Sequence, residues 1–140
     1  EAPGNRKITA PGIRQMKKIA VIEDNADNRL LVQVILNDRY ALTEYETGFD
    51  ALEDFETQKP DLVILDISLP GMDGTDVLHR IRANATLRHL PVIALTAQAM
   101  PGSRASLLAI EFDEYVTKPL VDEKILLKII DRLLNTTRDE

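Results

Sequence analysis

The strongest constraint on the fold is a regular alternation between short apolar runs and segments with helical periodicity. Five runs have the length of strands, and three of them are rich in β-branched residues; the runs are 19–22, 41–45, 62–65, 92–95 and 115–116. Between and after them, apolar residues recur at helical spacing. This alternation predicts five strand-helix units, and therefore a parallel sheet with helices on both faces.

The helical segments show apolar stripes that indicate which face of each helix meets the sheet. The stripes consist of Ala26, Leu30, Leu31, Val34 and Ile35, then Ala51, Leu52 and Phe55, then Val77, Leu78 and Ile81, and finally Leu126, Ile129, Ile130 and Leu133. The least regular helix is predicted over 103–110. It follows Pro101 and Gly102, which are both tolerated at the start of a helix.

The length of 140 residues fits one domain, which can bury roughly two-thirds of its unfolded surface. We assign this domain to residues 16–137. Residues 1–15 contain two Pro-Gly pairs and few apolar residues, so we expect a disordered tail, a linker or a remnant left by expression. Residues 138–140 are expected to be a tail.

Composition excludes several classes of protein. The chain has no cysteine, so nothing requires an oxidising compartment. Its apolar runs are far shorter than the ~20 residues of a membrane helix, and we expect a cytoplasmic protein without membrane insertion. The net charge is −6 and no cluster of Lys and Arg is present, so we expect no direct binding to nucleic acid.

Charged and hydroxyl side chains follow four of the five predicted strands, at the edge where sheets of this type bind ligands. These residues are Glu23, Asp24, Asp66, Thr96, Thr117 and Lys118. Two unit charges 4 Å apart interact by about 4 kcal/mol at an effective dielectric near 20, so three clustered carboxylates would repel strongly. A divalent cation would relieve this repulsion, and a site made only of oxygen ligands favours Mg²⁺.

A single aspartate after a strand more often caps a helix or stabilises a turn than binds a ligand. We interpret Asp27 and Asp50 in that way. This explanation does not fit the larger set, because it would have to account for charged or hydroxyl residues at four strand ends together.

Four segments carry a resemblance to a known family. They read "IAVIEDN", "PDLVILDISLPGMDG", "VIALTA" and "DEYVTKP". Together they closely resemble the response-regulator receiver domain of two-component signalling, and the similarity covers residues 17 to about 134. The resemblance implies a flavodoxin-like, three-layer α/β fold: five parallel strands in the order 2-1-3-4-5 between five helices.

The resemblance also implies the roles of the residues at the strand ends. Asp66 matches the phosphoacceptor. The expected Mg²⁺ ligands are Glu23, Asp24, Asp66 and the backbone carbonyl of Ser68; the phosphoryl-binding residues are Thr96, Ala97 and Lys118; the switch residues are Thr96 and Tyr115; and Pro119 would follow a cis peptide bond. One departure is Glu111, which stands where the family usually has glycine.

The expected phosphodonor is a sensor histidine kinase or a histidine phosphotransfer protein. A downstream protein would bind the surface of the fourth helix, fifth strand and fifth helix, and a phosphorylation-linked dimer would use the same region. The chain itself would be no enzyme beyond self-catalysed phosphoryl transfer and autodephosphorylation.

Other functions remain open at this point. The chain is either a stand-alone regulator, which we favour, or a receiver module of a larger hybrid kinase or effector. An FMN-binding module would share the fold, but it needs phosphate-binding amides where this chain has carboxylates. A phosphatase with a nucleophilic aspartate needs a second acid two residues later, and Ser68 occupies that position.

Overall fold

The structure is a computed structural model that describes residues 16–97, 112–118 and 123–135. Five parallel strands form one sheet in the order β2-β1-β3-β4-β5, which confirms the predicted α/β architecture. The strands are β1 (Lys18–Ile22), β2 (Ala41–Tyr45), β3 (Leu62–Asp66), β4 (Val92–Thr96) and β5 (Glu114–Thr117).

Four helices lie within the described residues. They are α1 (Ala26–Leu36), α2 (Gly48–Gln58), α3 (Gly74–Ala83) and α4 (Glu123–Asn135). Helix α4 is the fifth helix of the sequence prediction. The helix predicted over 103–110, Glu111 and Pro119 lie outside the described residues.

The sheet carries one apolar core on each face because alternate side chains of a strand point in opposite directions. In β3, Val63 and Leu65 join one core, which includes residues of α2 and α3, whereas Leu62 and Ile64 join the other, which includes residues of α1 and α4. All five residues of β3 are buried. This explains why the sequence of β3 is continuously apolar up to Asp66.

The apolar stripe predicted for α1 is wrong for four of its five residues, and Ala26 at its start is exposed. Leu30, Leu31 and Val34 are 55%, 38% and 73% exposed, while the helix buries Val32 and Leu36 instead. The partly buried Arg29 lies one turn before Val32. It donates a hydrogen bond to the backbone carbonyl of Glu23, the residue that follows β1. A polar residue therefore occupies part of the inward face, which hydropathy cannot predict.

The N-terminal caps also differ from the expectation for Asp27 and Asp50. The side chains of Asn25 and Thr47 cap α1 and α2, and they accept hydrogen bonds from the backbone N–H groups of Asn28 and Asp50. Asp27 and Asp50 lie in the first helical turns, where a negative charge interacts favourably with the helix dipole. The acids support these helices without capping them.

None of the described helices is long and apolar enough to cross a membrane.

Candidate functional site

Three carboxylates meet at the carboxyl edge of the sheet. Oxygen atoms of Glu23, Asp24 and Asp66 all lie within 4.8 Å of one another. The parallel register pairs Ile22 with Leu65, so the residues that follow them, Glu23 and Asp66, come side by side. Glu23 and Asp66 are buried and Asp24 is exposed. Such a group of hard oxygen donors, with one open side, suits Mg²⁺.

Lys118 brings a positive charge into this group. Its Nζ lies 3.2 Å from Asp66 Oδ1 and 3.4 Å from Glu23 Oε1. The backbone N–H of Lys118 donates to the carbonyl of Thr96 at 2.7 Å, which fixes the start of the side chain at the end of β4. Burial alone would lower the pKa of Lys118, but the hydrogen bond to Asp66 and the charges of Asp66 and Glu23 outweigh it and raise the pKa.

Glu23 shows the electrostatic strain of the site. Burial raises its pKa above the ordinary value, and the charge of Asp66 adds to this. The hydrogen bond from the backbone N–H of Asn25, at 3.1 Å, and the charge of Lys118 act in the opposite direction without cancelling the shift. A bound cation would favour the charged form of Glu23 and would thus counteract the raised pKa.

The loop after β3 is held close to Asp66 by backbone contacts. The backbone N–H of Ser68 donates to Asp66 Oδ1 at 3.0 Å, and the N–H of Gly74 donates to the carbonyl of Ile67 at 2.8 Å. A Cβ atom at Gly74 would lie 2.5 Å from the carbonyl oxygen of Asp66 and 2.6 Å from Cα of Ile67. Only glycine fits there, so the start of α3 packs directly on the backbone that carries Asp66.

The remaining predicted residues surround the same edge. Thr96 ends β4, next to β3 on one side and paired with Thr117 of β5 on the other. Ala97 follows it and is exposed. Tyr115 lies in β5, is partly buried, and packs against the core that includes residues of α2 and α3. The structure thus brings Thr96 and Lys118 to the edge that holds the carboxylates.

Sequence reasoning missed Arg29 as a neighbour of this site. Its Nη1 donates to the backbone carbonyl of Glu23 at 2.7 Å. Its Nε lies 3.5 Å from Glu44 Oε1, and its Nη2 lies 3.6 Å from Glu46 Oε2. The available signal was a pair of glutamates at the end of β2, the strand adjacent to β1, combined with one arginine on the intervening helix.

Sequence comparison shows that this chain is similar to response regulators and to sensor histidine kinases. The profile of the family described as "Response regulator receiver domain" matches residues 19–131. The sensor histidine kinase GacS of Pseudomonas protegens is 37% identical over 112 residues, which are 77% of this chain but only 12% of the kinase. The response regulator DivK of Brucella anthropi is 33% identical over 105 residues, which are 74% of this chain and 85% of that protein.

A solved structure shows the same similarity in three dimensions. It is the receiver domain of the sensor histidine kinase PA1611 from Pseudomonas aeruginosa PAO1, with a magnesium ion coordinated in its active-site cleft. The TM-score is 0.76 at 32% sequence identity, and the match covers 85% of this chain and 98% of that one.

Proposed function

This chain belongs to the response regulator receiver domain family of two-component signalling, and we propose that it is a phosphorylation switch in which Asp66 accepts a phosphoryl group from a partner's phosphohistidine. The observation that carries this proposal is the position of Asp66. Its carboxylate is almost fully buried at a strand end, within 4.8 Å of two further carboxylates and 3.2 Å from Lys118.

We assign the metal site to Glu23, Asp24, Asp66 and the backbone carbonyl of Ser68, with Mg²⁺ as the ion. The three carboxylates support this assignment because they are oxygen donors that repel one another without a cation. When bound, Mg²⁺ would neutralise negative charge on the transferred phosphoryl group and orient it.

The reaction is a phosphoryl transfer to Asp66. A carboxylate oxygen of Asp66 forms a bond to phosphorus while the bond from phosphorus to the donor nitrogen breaks, and the electron pair of that bond stays on the histidine. Phosphoryl transfer depends mainly on positioning and charge stabilisation. Burial of β3 supplies the positioning, and the ammonium of Lys118 supplies a charge that can interact with phosphoryl oxygens.

Phosphorylation would then alter the protein through Thr96, Ala97 and Lys118. The phosphoryl group adds roughly two negative charges and new hydrogen-bond acceptors. Shifting a population from 1:99 to 99:1 takes about 5.5 kcal/mol, and charge-assisted hydrogen bonds contribute roughly 1.5 to 3 kcal/mol each. Two or three bonds from Thr96, Lys118 and the backbone at Ala97 would therefore suffice.

The signal would leave the site through Tyr115 of β5. We propose that movement of Thr96 toward the phosphoryl group lets the Tyr115 ring repack, which changes the surface of β5, α4 and the predicted helix over 103–110. A downstream protein, or a second phosphorylated copy of this chain, would bind that surface.

The phosphodonor would dock on the first helix. The exposed apolar face of α1, formed by Leu30, Leu31 and Val34, belongs to the helix that begins directly after the carboxylates. A sensor histidine kinase or a histidine phosphotransfer protein that covers this face would place its phosphohistidine beside Asp66. The relatives support such partners, since one is a sensor histidine kinase and another a response regulator.

The relatives also support two forms of the whole protein. The chain spans about an eighth of the GacS kinase, which favours a module of a hybrid kinase, but it matches 85% of DivK, which favours a stand-alone regulator. The length of the complete gene product separates these two forms.

Acetyl phosphate and Mg²⁺ provide the direct test. We expect the intact mass to rise by about 80 Da, the mass of one phosphoryl group, and the rise to disappear in Asp66→Asn. Continued labelling of Asp66→Asn would overturn the assignment. Repeated turnover of phosphate esters would instead indicate a phosphatase, and a bound flavin spectrum would indicate an FMN module.

A further inference from the structure

The side chain of Arg29 connects three acceptors that belong to different parts of the chain. Its guanidinium donates to the backbone carbonyl of Glu23 at 2.7 Å and pairs with Glu44 and Glu46 at 3.5 and 3.6 Å. Only 15% of the side chain is exposed. Arg29 therefore links α1 to the ends of both β1 and β2.

Two hydrogen bonds anchor the backbone of Glu23, one at its N–H group and one at its carbonyl. The backbone N–H of Glu23 donates to the carbonyl of Tyr45 at 3.0 Å, and the backbone carbonyl of Glu23 accepts from Arg29. The backbone that carries Glu23 is thus tied to β2 and to α1. Since Asp24 follows immediately, the same anchor limits the position of both acids.

An anchor of this kind matters because the carboxylates repel one another. Glu23, Asp24 and Asp66 bring three oxygens within 4.8 Å, and repulsion between unit charges at about 4 Å reaches roughly 4 kcal/mol at an effective dielectric of 20. In the metal-free protein this repulsion favours movement of the segment after β1 away from Asp66. We propose that Arg29 is a positioning residue that holds Glu23 and Asp24 in the arrangement that binds the divalent cation. This inference rests on the proposed function.

Removal of Arg29 should change the affinity for Mg²⁺ in opposite directions, depending on whether Arg29 acts through its charge or by positioning the acids. A positive charge beside a cation site disfavours the cation, although Glu44 and Glu46 offset part of that charge. If Arg29 acted only through its charge, its removal would tighten Mg²⁺ binding. If Arg29 positions the acids, its removal weakens Mg²⁺ binding, because binding must then reorder the loop.

The experiment is a calorimetric titration of the metal-free protein with Mg²⁺. Arg29→Met keeps the aliphatic length but removes the donors and the charge, whereas Arg29→Lys keeps the charge and loses the planar fork. Loss of groups that orient metal ligands typically weakens affinity by 10- to 100-fold, so we expect the Kd to rise about tenfold in Arg29→Met and about threefold in Arg29→Lys. Arg39→Met also removes one positive charge, from an exposed position beyond α1, and should change the Kd by less than about twofold.

Amide hydrogen exchange gives a second readout that does not depend on phosphorylation. In metal-free Arg29→Met, the amides of Glu23 and Asn25 should exchange faster than in the wild type, and Mg²⁺ should slow them again. A residue that served only overall stability would change exchange throughout the sheet and leave the Kd of the folded protein unaltered.

The positioning role of Arg29 and the proposed function would be contradicted by different measurements. A Kd in Arg29→Met equal to or lower than that of a wild type that binds Mg²⁺ would overturn the positioning role alone. If Arg29→Met does not fold, Arg29→Lys decides, and a wild-type Kd there overturns the role. A wild type that neither binds Mg²⁺ nor gains mass with acetyl phosphate would overturn the proposed function, and this inference with it.

Discussion

Lys118 and Asp66 form an ion pair that is largely shielded from solvent, with 3.2 Å between Nζ and Oδ1 and with 16% and 2% of the two side chains exposed. Lys118 also lies 3.4 Å from Glu23 Oε1. The site thus contains a cation, the Lys118 ammonium, that interacts with two of the three carboxylates proposed to bind Mg²⁺. The ammonium and the metal ion compete in part for the same negative charge.

Replacement of Lys118 should therefore make stability depend more strongly on the metal. In Lys118→Met, Glu23 and Asp66 lose their cation, and we expect the free energy of unfolding without metal to fall by about 2 kcal/mol. Mg²⁺ should bind more tightly than in the wild type, so saturating metal should remove most of the difference. Urea unfolding with and without Mg²⁺ measures this, and an equal deficit under both conditions would contradict it.

Thr96 should couple phosphorylation to the distant surface without being needed for phosphorylation. Thr96→Ala removes the hydroxyl at the end of β4, and we expect Asp66 still to gain its phosphoryl group. Amide chemical shifts with beryllofluoride, which mimics the phosphoryl group, should then change much less around Tyr115 than in the wild type. Thr43→Ala, a partly buried threonine in the middle of β2, is the matched control. Equal changes around Tyr115 in Thr96→Ala and the wild type would exclude Thr96 as the coupling residue.

The sheet and the acidic group were predictable because both depend on patterns along the chain. Continuous apolar runs such as β3 indicate strands buried on both faces, and parallel strands end at one edge of the sheet, which brings Glu23 and Asp66 together. The inward face of α1 was not predictable in the same way. The partly buried Arg29 occupies part of that face and donates a hydrogen bond to a backbone carbonyl, and hydropathy does not register such a contact.

The close packing of Gly74 on the backbone of Asp66 is a second feature that only the structure reveals. The segment after Asp66 contains Pro70, Gly71 and Gly74, but the sequence does not show which glycine touches the site. Gly71 has the left-handed backbone, with φ of 79°, whereas Gly74 has the close contact with the Asp66 carbonyl. The two glycines are therefore required for different physical reasons.

Substitution of these glycines should separate their two roles. In Gly74→Ala, the added Cβ would displace backbone at Asp66 and Ile67, and we expect a loss of about 1 to 3 kcal/mol in unfolding free energy together with slower labelling by acetyl phosphate. Gly71→Ala should lose about 1 kcal/mol because of its left-handed conformation, with a labelling rate close to that of the wild type. Wild-type labelling in folded Gly74→Ala would show that this contact does not position Asp66.

Tyr45 should add an alkaline pH dependence to stability. Burial raises its pKa, and so do the hydrogen bond from its hydroxyl to Asp54 Oδ2, at 2.7 Å, and the charge of Asp54. Since the folded pKa is above the unfolded value of about 10, the stabilisation is complete below pH 10 and is lost as the pH rises toward the folded pKa.

Tyr45→Phe removes both the hydrogen bond and this titration. We expect the variant to be less stable by about 1 kcal/mol at pH 8. Above pH 10 the free energy of unfolding of the wild type should fall more steeply, by up to about 1.4 kcal/mol per pH unit, so the two proteins converge. Urea unfolding between pH 8 and 11 tests this, and parallel curves would show that Tyr45 does not titrate differently on unfolding.

The exposed apolar face of α1 should be needed for a protein phosphodonor but not for a small one. Val34→Lys places a charge at the most exposed of its three residues, so stability should change by less than about 0.5 kcal/mol. Burial of a valine side chain contributes about 1.5 to 3 kcal/mol, and transfer from a phosphorylated kinase or phosphotransfer protein should therefore slow by about tenfold or more. Labelling by acetyl phosphate should remain at the wild-type rate. Ile125→Lys changes an exposed apolar residue of α4 in the same way and should leave both rates unaltered. A Val34→Lys variant that slows equally with both donors would point to damage at the carboxylates, and one that slows with neither would exclude α1 as the docking face.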